Sequence, residues 1–212
     1  LKLGLISDVH ADIEALDRAL GHLKRHAVDA IYCAGDVVGY GPAPAETVAR
    51  IVELGIPTVR GNHDRWAVER GAAMIDPYGV GPLSQTTLDA LRCLPPLRII
   101  EVEGKLVVIT HGSPGNDMEY LTRQRFRAED LRSMLGDISA DFLVVGHTHE
   151  PMWYRCDQGM IINPGSLYSA PSRLRSSRTF SILDFSMQIA RFYDVETGTE
   201  REHTPWDFDS SA

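Results

Sequence analysis

The sequence predicts an α/β fold of two packed sheets with helices outside. Three observations predict it. The N-terminal third alternates short apolar runs with stretches of helical periodicity. The remainder is dominated by apolar runs of strand length. The runs that begin the chain each end in a residue able to bind a ligand, as the carboxyl ends of α/β strands do.

Leu3–Ile6 is a short apolar run ending at Ser7-Asp8 and reads as a buried strand. Ile13, Leu16, Leu20 and Leu23 then recur at helical spacing, so residues 12–26 form an amphipathic helix. Ala30–Ala34 is a second strand, ending at Gly35-Asp36. Pro44, then Val48, Ile51 and Val52, then Gly55, mark a second helix with ordinary start and stop signals. Ile56–Val59 is a third strand, and this alternation argues for a largely parallel first sheet. Further on, helical patterns fall at 83–92 and 127–135. Strands are expected at 97–102, 105–110, 142–145, 160–162, 179–183 and 189–193. Glu103-Gly104 between the first two of these predicts a hairpin. No repeat, low-complexity tract or linker divides the chain, so residues 1–212 read as one domain.

Composition bounds the function. A hydrophobic fraction of 43% and a charged fraction of 24% are those of a soluble globular protein. A net charge of −8 works against binding to nucleic acid or anionic membranes, and no apolar run approaches a membrane span. The start, LKLGLISDVHA, meets an acid at Asp8 and is unlike a signal peptide. Cys33, Cys93 and Cys156 are odd in number and widely spaced. They suggest buried small residues in a reducing cytoplasm rather than a disulfide or metal framework.

The potential ligands gather at strand ends. Asp8 and His10 follow the first strand, Asp36 the second, Asn62 and His63 the third. His111 follows 105–110, and His147 and His149 follow 142–145. Asp8 and His10 are two apart, as are His147 and His149. In extended backbone such pairs face one side while Val9 and Thr148 turn away. Glycines 35, 61, 112 and 146 beside these positions permit close turns. Each block alone is a weak signal, since a strand-end Asp is usually a cap; five in order point to a metal centre. His22 and His26, four apart in the first helix, read instead as solvated surface.

Ser7–His10, Gly35-Asp36, Gly61–Asp64, His111-Gly112 and Gly146–His149 together resemble the calcineurin-like metallophosphoesterase superfamily. Chain length and Asn163–Ser166 look most like its small bacterial and archaeal phosphodiesterase branch. The resemblance implies a four-layer α/β/β/α sandwich around two divalent metal ions. Asp8, His10 and His149 would hold one ion. Asn62, His111 and His147 would hold the other, and Asp36 would bridge. The neutral amide of Asn62 completes a shell without quenching the Lewis acidity that the chemistry needs. A nitrogen and oxygen donor set without thiolate suits Mn²⁺, Fe, Zn²⁺, Co²⁺ or Ni²⁺. The family favours Mn²⁺. A hydroxide shared by the pair would attack phosphorus in line. The resemblance makes His63 not a ligand but the residue that faces substrate, helps neutralise charge in the transition state and can protonate the leaving oxygen. Asp64 would be its catalytic companion, orienting the imidazole.

Protein phosphatases of this superfamily carry Asp-Arg-Gly after the bridging Asp, and the arginine grips a dianionic monoester. Here the chain reads Gly39-Tyr40-Gly41, which favours a diester or polyphosphate. Tyr40 either stacks on a base or aryl group or is a packed loop aromatic. Arg123, within Arg123–Arg127, and the arginines of Ser172–Arg178 either reach substrate or lie on solvated surface. The expected partner is a small phosphodiester or nucleotide, with nucleic acid only as substrate. Monoesters and dinucleoside polyphosphates are alternatives. Some members of the superfamily are trafficking scaffolds with degraded sites; here all seven ligand positions and His63 are present.

Overall fold

The computed structural model describes residues 1–70, 83–168 and 178–203. Its first sheet contains β1 (Lys2–Ile6), β2 (Ala30–Cys33), β8 (Thr179–Asp184), β9 (Ile189–Asp194) and β10 (Glu200–Arg201). Its second contains β3 (Leu97–Val102), β4 (Lys105–Thr110), β5 (Phe142–Val144), β6 (Met152–Arg155) and β7 (Met160–Asn163). The helices are α1 (Ile13–Arg25), α2 (Pro44–Glu53), α3 (Asn62–Arg70), α4 (Gln85–Arg92) and α5 (Ala128–Ile138). The orders are β10-β9-β8-β1-β2 and β3-β4-β5-β7-β6.

Strand alternation explains the layering. On β1, Leu3 and Leu5 face the second sheet while Ile6 joins the layer under α1, α2 and α4. On β4, β5 and β7, Ile109, Val144 and Ile162 face the first sheet, while Val108, Leu143 and Ile161 pack with Leu131 and Leu135 of α5. Three apolar layers therefore separate four layers of structure: helices, sheet, sheet, helix. Burial on both faces is why these strands read as continuous apolar runs. The helices start as their sequences dictate. The Asp12 carboxylate accepts from Ala15 N–H at 3.0 Å at the head of α1, and Pro44 opens α2.

The first sheet is mixed rather than largely parallel. β1 pairs parallel with β2 but antiparallel with β8, which comes from the far end of the chain. The third strand shrinks to one bridge between Cys33 and Thr58, because Pro57 inside that run has no N–H to donate. His22 and His26 are not solvated surface. His22 is buried, its ring stacked on Phe180 at 5.9 Å and its Nε2 3.1 Å from the Val195 carbonyl. His26 is half-buried against Tyr193 at 4.4 Å. The β9–β10 turn folds over this flank of α1, a contact between distant segments that helix periodicity does not encode. No described helix is long and apolar enough to cross a membrane.

Candidate metal centre

Six of the seven expected ligands follow the carboxyl ends of β1, β2, β4 and β5, and the seventh, Asn62, opens α3 beside them. Their convergence does not come from extended backbone. Asp8 (φ 52°), His10 (49°), Asp36 (53°), His147 (67°) and His149 (61°) all lie in the left-handed region. This conformation is costly for residues with a side chain and persists where the surroundings impose it, commonly at functional sites. Val9 and Thr148 do turn away, Val9 into the core and Thr148 to Asn163 Nδ2 at 3.0 Å, but tight turning rather than strand alternation sends them there.

Each carboxylate has one oxygen clamped and one left over. Asp8 Oδ2 accepts from Ser7 Oγ–H at 2.6 Å and His147 N–H at 3.1 Å; Asp36 Oδ1 accepts from His63 N–H at 2.8 Å. The other oxygens, Asp8 Oδ1 and Asp36 Oδ2, are buried without hydrogen-bond partners among the described residues, as is His147 Nε2. Imidazole nitrogens crowd these atoms. His149 Nε2 is 3.2 Å and His10 Nε2 3.7 Å from Asp8 Oδ1; His111 Nε2 is 3.2 Å and His10 Nε2 3.8 Å from Asp36 Oδ2. His10 Nε2 and His149 Nε2 are only 2.9 Å apart, and His111 Nε2 is 3.1 Å from Asn62 Oδ1. Behind them, His10 Nδ1 faces the Val38 carbonyl at 3.2 Å and His111 Nδ1 the Ala34 carbonyl at 2.8 Å. Such outer contacts fix a ligating ring and leave Nε2 for a metal.

Buried lone pairs aimed at one another are costly unless a cation lies between them. Among the described residues the donors form three overlapping groups, Asp8-His10-His149, Asp36-His111-His147 and His10-Asp36-His63, of which the first two fit two ions with Asp36 between them. Protonation also suits ligation. Burial holds His10 down to about 3 and His147 down to about 4, so both rings are neutral at pH 7. Burial works against ionisation of Asp8, but His149 beside it outweighs this and holds the carboxyl at about 2. Burial likewise opposes ionisation of Asp36, but His111 overcomes it and holds the carboxyl well below the usual range. His111 runs the other way: burial disfavours its charge, but Asp36 lifts it to about 10, so it must release a proton to become a ligand.

The stretch Gly61–Asp64 opens α3. Asp64 Oδ2 reaches back to Gly61 N–H at 3.0 Å, in the manner of a capping box, while Asp64 Oδ1 accepts Val38 N–H at 3.1 Å. Through these bonds Asp64 ties the loop after β2 to the helix start. Burial and the nearby Asp36 lift its carboxyl to about 7. A Cβ at Gly61 would strike Asp36 Oδ1, so this position needs glycine for close approach. His63 is buried with its ring 4.9 Å from His10, 4.8 Å from Tyr40 and 4.9 Å from Trp66. It also lies within ligating range of His10 and Asp36.

A cleft of about 210 Å³ opens on the centre, lined by Asp36, Asn62, His63, His147 and His149 together with Tyr40, Trp66, Met118 and Tyr120. Tyr40 lies at the rim, 38% exposed, its ring 4.6 Å from His10 and stacked on Tyr168 at 5.6 Å. Arg123 sits in an exposed turn and is not part of the described lining. Arg178 is engaged by Glu196 at 2.6 Å and Asp12 at 3.1 Å, while Arg173 and Arg175 lie outside the described residues. Sequence reasoning missed Trp66, Met118 and Tyr120. Trp66 is signalled only by the capping pattern of α3. The other two lie in a loop without periodicity.

The calcineurin-like phosphoesterase superfamily domain matches residues 1–188, and the chain belongs to that superfamily. The chain is similar to the phosphodiesterase YfcE of Escherichia coli, 26% identical over 79% of each chain. It is also similar to a metallophosphoesterase from Sphaerobacter thermophilus, 28% identical with a TM-score of 0.72, over 92% of this chain and 89% of that one. Vacuolar Protein Sorting 29 of Cryptosporidium parvum shares the fold alone, at 19% identity and a TM-score of 0.60 over 94% of both chains.

Proposed function

We propose that this chain is a metal-dependent phosphodiesterase using two divalent ions, with Mn²⁺ as the ion of choice in assay. The observation that carries the diester reading is Gly39-Tyr40-Gly41 after Asp36. An aromatic ring, not a guanidinium, stands at the rim, and the described lining contains no arginine to grip a phosphate dianion. The name of the Escherichia coli relative agrees with this reading.

Asp8, His10 and His149 would hold one ion; Asn62, His111 and His147 the other; Asp36 both. When bound, such a pair acidifies water and neutralises phosphoryl oxygens. The chain supplies the rest. The new P–O bond would form from water, whose proton passes to solvent, as the ester P–O bond breaks and His63 gives its own proton to the departing alkoxide. Asp64 keeps α3 and the 36–38 loop in register beneath it. The seven ligand positions and His63, all present and clustered, favour the enzyme over the scaffold alternative.

With Mn²⁺, kcat/KM for bis(4-nitrophenyl) phosphate should exceed that for 4-nitrophenyl phosphate by at least about tenfold, the scale of one missing charged hydrogen bond to a dianion. A comparable preference for the monoester would reverse the assignment.

A further inference from the structure

Two sets of large side chains line the cleft. Tyr40 and Trp66 flank His63. The Tyr120 ring lies 4.1 Å from the His147 ring, and Met118 shares the lining. Tyr120 is 42% exposed and Met118 38% exposed, costly positions for large apolar groups beside a charged centre. The loop presenting them is nonetheless braced. Arg65 of α3 grips Asp117 through two bonds of 2.7 and 3.0 Å. Ser113 and Asn116 exchange backbone bonds at 3.0 Å, and Asn116 Oδ1 accepts Met118 N–H at 3.0 Å. Leu121 is sunk in the core directly after Tyr120. A Cβ at Gly112, next to the ligand His111, would strike the Asn116 carbonyl, so the loop lies hard against the metal-binding turn.

A phosphodiester has two arms. The departing arm must leave beside the proton donor, His63, between Tyr40 and Trp66. The retained arm then lies toward the Asp36-His111-His147 donor group, where Tyr120 covers His147. We infer that Tyr120 and Met118 form a platform for the retained arm, and that the substrates are diesters carrying a planar aromatic group, a nucleobase or an aryl ring, on that arm. This rests on the phosphodiesterase reading. A braced Tyr-Met face offers ring stacking and a polarisable thioether, both suited to a π-face and sequence-tolerant toward bases.

The test uses three diesters with one leaving group, 4-nitrophenolate, and three retained arms: methyl, phenyl and thymidine 5′-yl. With the Mn²⁺-loaded wild type, the planar arms should exceed methyl in kcat/KM by about tenfold or more. Tyr120→Ala should collapse that ratio about tenfold, mainly through KM. Tyr120→Phe should retain it, and metal content should stay at the wild-type level in both. Met118→Ala should lower the ratio in the same direction. A thymidine arm better than phenyl assigns nucleotides as the source; the reverse assigns aryl esters. Equal turnover of methyl and planar arms by the wild type, or an equal loss on all three in Tyr120→Ala, would overturn the platform while leaving the phosphodiesterase reading intact. Failure to hydrolyse any diester while monoesters are cleaved would instead remove the phosphodiesterase reading itself.

Discussion

Asp36→Asn should lose metal and activity together. Asp36 Oδ1 is held by the His63 N–H at 2.8 Å, and an amide oxygen can still accept that bond. The damage falls on the other atom. Oδ2 lies 3.2 Å from His111 Nε2 and 3.8 Å from His10 Nε2, between the two donor groups. With the amide oxygen kept at the clamp, an NH₂ group would face both ion positions, with donors where acceptors are needed. The negative charge that offsets repulsion between two dications would also be gone. Bound metal should fall below one ion per chain, and activity should drop on the order of 10³-fold, the scale of removing a preorganised charge partner. Elemental analysis beside bis(4-nitrophenyl) phosphate hydrolysis reads both. Full occupancy with a normal rate would show that Asp36 does not bridge.

His63→Ala should separate metal binding from chemistry. His63 follows a ligand in sequence but is walled by Tyr40 and Trp66 and lines the cleft. Its removal should leave metal content nearly unchanged and cost kcat on the order of 10²–10⁴-fold, the usual worth of a placed proton donor. The loss should be largest for alkyl or ribose leaving groups, whose alkoxides need a proton. It should shrink for nitrophenolate, which departs without one. Because His63 also lies within ligating range of His10 and Asp36, the metal readout decides its role. Loss of metal with rescue by excess Mn²⁺ would make His63 a ligand. A loss independent of leaving group would make it a stabiliser of phosphoryl charge instead.

The parts of this architecture legible in the sequence were those with a period or a fixed neighbour. Runs such as Lys105–Thr110 and Phe142–Val144 are apolar because both faces are buried, and their ends mark where His111 and His147 must sit. The helix α3 was not legible: Asn62–Arg70 is mostly polar, with no apolar stripe, and it is set by the Asp64 bond to Gly61 N–H. The edge pieces β6 and β10 are too short for a pattern, and Pro57 reduces the strand expected at 56–59 to one bridge. In the site, residue types located the donors, but their left-handed turns and the braced wall at Met118 and Tyr120 are products of distant contacts. The Arg65–Asp117 pair joins residues far apart in the chain, and no local spacing announces it.

The central claim is that two ions, shared through Asp36, make the site work. The most direct measurement titrates metal-stripped protein with Mn²⁺ while following bound metal and diester hydrolysis in the same samples. Binding should saturate at two ions per chain, with most of the activity arriving as the second ion binds. Full activity at one ion per chain, or hydrolysis unaffected by stripping, would contradict it.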